Sequence, residues 1–310
     1  PGKEVWQPKN YDGTSSFGPS TLRLGIEKSR NQMTVRLAQD MGMPLIVEYS
    51  KRFGVYDDLL PVLAMSLGAG ETTLLRMGAA YAVLANGGKQ VRPTLIDRIQ
   101  DRWGHTIWRH DGRECMGCKA EQWQGQAEPA LIDDRKQIID PHTAYQITSM
   151  MEGVVQRGTA TVINKMIPNV PIAGKTGTTN DEKDAWFIGY TPDLVVGVFI
   201  GYDTPRHLGK GMTGGHVAAP IFGNFMKMAL ADKKAVPFRI PAGIKLVRVS
   251  LRTGLRVQGG ETDTVTEAFK PYEEPDDAYS IIGFTNESGG FFTGDQMDAP
   301  RSLSSGRSVY

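Results

Sequence analysis

Apolar residues recur at helical spacing along the first sixth of the chain. Leu22 and Ile26 share a face from Thr21 onward, with Ser20 in the capping position. Met33, Leu37 and Met41 form a second run that stops at Gly42, and a third helix is predicted from about Pro44 to Phe53, ahead of Gly54. The tripeptide Ser29-Arg30-Asn31 therefore falls at the join of two helical segments. From Glu71 to Asn86 the chain is apolar nearly all round, the pattern of a helix buried in the middle of a domain. Gln90 to Arg109 alternates around a turn at Trp103-Gly104, which predicts short strands and a hairpin, and 110–138 reads as a polar surface excursion.

The second half begins with a strong helix start. Asp140 caps and Pro141 takes the first helical position, and Ala144, Ile147, Met151 and Val154 then repeat at helical spacing up to Gly158. Two strand candidates, Asp184 to Tyr190 and Leu194 to Gly201, are separated by Thr191-Pro192-Asp193, so they are expected to pair as a hairpin. Phe187 is expected in the core, and Trp186 toward a cleft or a covering helix. A last helix runs from about Pro220 to Leu230. Lys245 to Val257 then alternates as two short strands around Thr253-Gly254, and from Glu273 onward the composition is that of a flexible tail. Helices followed by an antiparallel hairpin and a closing helix make an α+β fold. Three parts follow: a main domain over 1–232, a β extension over 233–272 and a tail over 273–310.

Composition narrows the function classes. A chain of 310 residues with 40% apolar residues can bury a full core. Its net charge of +1 gives no long-range pull toward nucleic acid, so no nucleic-acid partner is expected. No run approaches the roughly 18 apolar residues of a membrane-spanning helix. The chain opens on a polar loop without a starting Met, which reads as a piece of a longer protein. Cys115 and Cys118 lack the further ligands of a structural zinc site, so they are read as a local disulfide or two free thiols at a hairpin tip.

Two short motifs carry the candidate chemistry: Ser29-Arg30-Asn31, and Lys175-Thr176-Gly177-Thr178-Thr179. Around them stand Trp6 to Tyr11, Thr21-Leu22-Arg23, Leu67-Gly68-Ala69-Gly70-Glu71, Gly158-Thr159-Ala160, Asp184 to Tyr190, and Ala219-Pro220-Ile221-Phe222. In this order, over roughly residues 1 to 230, they resemble the transpeptidase domain of class A penicillin-binding proteins, of the 1A type. Ser-x-x-Lys, Ser-x-Asn and Lys-Thr-Gly are the motif set of that group. No serine of the chain has Lys three positions later, so the nucleophile is expected upstream of Pro1, and this piece alone is expected to be inactive. The histidines show no spacing of a Ser-His-Asp hydrolase, and no Gly-x-Ser-x-Gly elbow is present.

The resemblance implies a penicillin-binding and β-lactamase-like fold: an antiparallel sheet with a helical subdomain, here with a small β appendage. It implies serine acyl transfer that cross-links peptidoglycan stem peptides ending in D-Ala-D-Ala, with acylation by β-lactams and no cofactor or metal. Ser29 would pass a proton to the leaving amine, and Asn31 would offer its amide to the substrate carbonyl. Lys175 would supply positive charge. Gly177 would let the peptide lie against the strand edge, and the Thr176 and Thr178 hydroxyls, with Thr179 beside them, would receive its carboxylate. The Thr178 N–H would be an oxyanion donor. An N-terminal glycosyltransferase domain, a membrane anchor and a site at the periplasmic face of the inner membrane are also implied. The rival readings are a D,D-carboxypeptidase or β-lactamase-like hydrolase, and a non-catalytic module that binds stem peptides.

Overall fold

The computed structural model describes residues 6–11, 13, 18–116, 118, 122, 124–125, 130–257 and 259–275, so nearly all of the expected tail lies outside the described residues. Helix α1 (Leu22–Glu27) is capped by Thr21 rather than Ser20. Thr21 lies in extended backbone, its Oγ1 accepts from the Leu24 N–H at 3.2 Å, and its hydroxyl donates to the Leu251 carbonyl. Helix α2 (Asn31–Met41) follows after a three-residue join, and α3 (Met43–Arg52) after Gly42, whose φ of 85° suits a residue without Cβ.

Helix α4 (Leu74–Ala85) starts at a capping Thr73. It is not buried all round. Ala80 and Val83 are covered, but Leu75 is 66% exposed, because only one face of the helix meets the sheet. Strands β1 (Arg98–Gln100) and β2 (Thr106–Arg109) form the expected hairpin around Trp103-Gly104. Beyond it β3 (Cys115–Met116) pairs with β4 (Ala130–Leu131), and Cys115 and Cys118 are joined as a disulfide, which leaves no thiolate there to ligate a metal.

Asp140 caps α5 (Pro141–Gln156) through its carboxylate, which accepts from the Thr143 N–H at 3.1 Å. Short α6 (Thr161–Met166) leads to β5 (Ala173–Thr178), which pairs antiparallel with β6 (Ala185–Tyr190), itself paired with β7 (Val195–Ile200). Successive side chains point to opposite faces, so the sheet packs on both sides. On one, Phe187 meets Phe222 of α7 (Ala219–Ala229) with ring centroids 4.7 Å apart, and Ile163, Val154 and Met226 complete a fully buried cluster. On the other, Tyr190 lies edge-on to Tyr81 of α4 and shares a 2.8 Å hydrogen bond with Thr148 of α5. The first face is thus covered by α5, α6 and α7, and the second by α4 together with α5.

The segment Lys245 to Val257 is not a self-contained hairpin. Strand β8 (Lys245–Ser250) pairs along its whole length with β9 (Thr264–Phe269), and Arg256 makes only a single bridge to Val249. The β-branched run Thr264-Val265-Thr266 supplies a better strand than the three residues after the Thr253-Gly254 turn. This ribbon is stitched to the helices: Gln146 donates to the Ala268 carbonyl at 2.9 Å, and Arg23 binds Glu267 through two nitrogens at 2.5 and 2.6 Å.

Candidate active site

The two motifs meet across the fold. Lys175 is the third residue of β5, and its Nζ donates to Ser29 Oγ at 2.7 Å and to the Thr176 carbonyl at 2.9 Å. Ser29 sits in the join after α1 with a φ of 54°, a left-handed conformation that costs a non-glycine residue strain. The Ser29 N–H donates to the Ile26 carbonyl and the Arg30 N–H to the Gly25 carbonyl, so the end of α1 holds the serine in this pose. Burial against α5 and the sheet pushes the Lys175 ammonium down to about 8.

Asn31 opens α2, and its side-chain amide donates to the Lys9 carbonyl at 2.9 Å. The neighbouring Asn10 and Gln32 side chains are also bonded, and Tyr11 then reaches the Glu182 carboxylate at 2.6 Å. Residues 8–11 therefore run from the Ser29–Asn31 side of the site to the turn after β5.

Alternation along β5 sets Lys175 and Gly177 on one face and Thr176 and Thr178 on the other. Thr176 Oγ1 lies 2.7 Å from Thr159 Oγ1, and Thr178 Oγ1 accepts from the Gly214 N–H at 3.0 Å. A Cβ on Gly214 would fall 2.3 Å from the Trp186 carbonyl oxygen and 2.5 Å from that of Gly177. Only glycine lets the π-helical turn Gly214–Ala218 sit so close to the strand. His216 belongs to that turn, and its Nδ1 faces Thr213 and the Gly211 carbonyl. Gly177 lies opposite Trp186, whose ring packs tilted by 48° against Phe199, centroids 4.6 Å apart. Thr179 is exposed, and its Oγ1 accepts from the Asp184 N–H at 2.8 Å, closing the turn into β6.

Sequence reasoning did not single out Thr159 or Gly214. The signal for Thr159 was its place in the Gly158-Thr159-Ala160 match. Nothing short of the fold marks Gly214 as touching the strand.

This arrangement can hold a proton donor, Ser29, against a cation of lowered basicity, beside an edge strand that carries Gly177 on the same face as Lys175. It is suited to acyl chemistry on an extended peptide. The family model for the penicillin binding protein transpeptidase domain matches residues 1–227. Penicillin-binding protein 1A of Rickettsia conorii is 46% identical over 274 residues, which is 87% of this chain and 34% of that protein. The chain thus spans about a third of the length of the curated relatives it matches. The crystal structure of penicillin-binding protein 1A from Haemophilus influenzae superposes with a TM-score of 0.75 at 30% identity, over 90% of this chain and 44% of that one. The ceftriaxone acyl-enzyme of penicillin-binding protein A from Mycobacterium tuberculosis matches at 0.55 and 25% identity, over 74% of this chain and 53% of that one. On the sequence match and the shared fold together, the chain belongs to the penicillin-binding protein transpeptidase family.

Proposed function

We propose that this chain is the greater part of a serine-type D,D-transpeptidase of cell-wall synthesis, acylated by β-lactams as by its peptide donor. The observation that carries the reading is the 2.7 Å hydrogen bond between Lys175 Nζ and Ser29 Oγ, two residues 146 positions apart. The nucleophilic serine and its lysine come from a Ser-x-x-Lys segment upstream of Pro1. That serine attacks the carbonyl of the penultimate D-Ala and forms an ester, and the terminal D-Ala leaves as its amine. Ser29 accepts from Lys175, so its own proton is free to go to the leaving nitrogen. The acceptor amine of a second stem peptide then attacks the ester, releasing the serine.

Lys175 stabilises the negative charge that develops and faces the carboxylate of the donor. Thr178 accepts from Gly214, which leaves its hydroxyl proton for that carboxylate, and its backbone N–H serves the oxyanion. Asn31 exchanges the Lys9 carbonyl for a substrate carbonyl. The whole protein carries a glycosyltransferase domain and a membrane anchor ahead of this segment and works at the periplasmic face of the inner membrane. The test is labelling of the intact protein, upstream segment included, by a fluorescent penicillin. Covalent labelling is expected, with Lys175→Ala slowing it by about a hundredfold or more. An intact, folded protein that takes up no label would overturn the reading.

A further inference from the structure

Beneath Ser29 lies a fully buried carboxylate. Glu27, the last residue of α1, is 0% exposed. Its Oε1 is 2.6 Å from an Arg157 guanidinium nitrogen and 3.6 Å from Arg23. Two glycines of the facing segment make room for it. A Cβ on Gly153 would overlap Glu27 Oε1 at 1.8 Å, and one on Gly158 would meet the Glu27 carbonyl at 2.3 Å. That carbonyl accepts from the Thr159 N–H, and Lys28 Nζ donates to the Arg157 carbonyl at 2.7 Å.

Taking a carboxylate out of water costs several kcal/mol, and apolar residues of the same volume often stabilise such an interface better. Stability alone therefore does not account for Glu27. Geometry does. One side chain ties the end of α1, two residues before Ser29, to the turn that carries Thr159 against Thr176. We infer that Glu27, locked by Arg157, is a positioning residue that holds Ser29 Oγ in register with Lys175 and β5. It acts through Ser29 and has no contact of its own with Lys175 or the substrate. The inference rests on the transpeptidase reading above.

A double-mutant cycle tests it in the intact protein, with the acylation rate by fluorescent penicillin as the readout. Glu27→Gln keeps the shape and removes the charge that grips Arg157, and it is expected to slow acylation about tenfold or more. In a Ser29→Ala background the same change is expected to do nothing further, because the group it positions is gone. A role in packing alone would slow both backgrounds equally, and that additive result would overturn the inference, as would an unchanged rate in Glu27→Gln. If Glu27→Gln does not fold, Arg157→Gln breaks the same pair from its more exposed side and the same two outcomes decide. Failure of the parent protein to label counts against the transpeptidase reading instead, so the two failures are separable.

Discussion

At Lys175 two demands conflict, and the site keeps the conflict. On the transpeptidase reading its ammonium must be charged to attract the donor carboxylate, yet burial lowers its pKa from 10.5 to about 8. The folded protein therefore disfavours the charged form. The resulting loss of stability is complete below about pH 8 and is recovered as pH rises toward 10.5. Two results should follow. Acylation of the intact protein should fall as pH rises through about 8, where Lys175 loses its charge, and the profile of labelling rate against pH measures it. Lys175→Met should slow labelling about as much as Lys175→Ala yet raise stability at pH 7 by about 1 kcal/mol after discounting for solvent exposure, or roughly 2–4 °C in Tm. A melting temperature that drops instead would mean that the two hydrogen bonds of the Lys175 amine outweigh the cost of burying its charge. Ser29 carries a similar tension in its backbone, since its φ of 54° is tolerated because hydrogen bonds to Ile26 and Gly25 fix the join.

At the level of elements, the close approach of the π-helical turn to β5 shapes the site more than any side chain does. Gly214→Ala would force a Cβ into two carbonyl oxygens, and neither is the end of a flexible chain. The turn must lift, breaking the bond from the Gly214 N–H to Thr178. A cost of about 1–3 kcal/mol is expected in denaturant unfolding, together with weaker binding of penicillin before acylation. The motif residues Ser29, Lys175 and Gly177 were legible in the sequence only because Ser-x-Asn and Lys-Thr-Gly, each weak alone, stand together in the order of a known motif set, and the β6–β7 hairpin because three turn residues separate two apolar strands. Gly214 was not legible, since its reason lies in a strand whose approach no local pattern encodes. The same limit explains the β8 pairing. Alternation identifies a strand without naming its partner, and the partner stands fourteen residues beyond the end of β8. For α4, composition read as burial all round, whereas helix-on-sheet packing covers one face and leaves Leu75 in the open.

At the scale of the whole molecule, the ribbon β8–β9 is tied to the catalytic half through a buried charge. Arg23 is 3% exposed and divides its guanidinium among Glu267, Ser149 and, more distantly, Glu27. Glu267 is the one ligand contributed by the ribbon, and it is 17% exposed. Neutralising Glu267 leaves the buried Arg23 charge with Glu27, at 3.6 Å, as its remaining carboxylate. Glu267→Gln should therefore lower stability by about 3 kcal/mol, a drop of roughly 6–12 °C in Tm. The change is far from Lys175 in the chain, but it acts on α1, whose last turn holds Glu27 and then Ser29. With Glu267 neutral, Arg23 is expected to draw closer to Glu27, now 3.6 Å away, and to compete with Arg157 for its carboxylate. Acylation should slow by a few-fold even at temperatures where the variant is fully folded, while a surface substitution such as Glu274→Gln, five residues past the end of β9 and paired with Lys245 of β8, should leave the rate alone. Comparing the two variants by labelling rate and by thermal unfolding separates loss of fold from loss of alignment. Equal rates for the two would show that the ribbon only stabilises the domain.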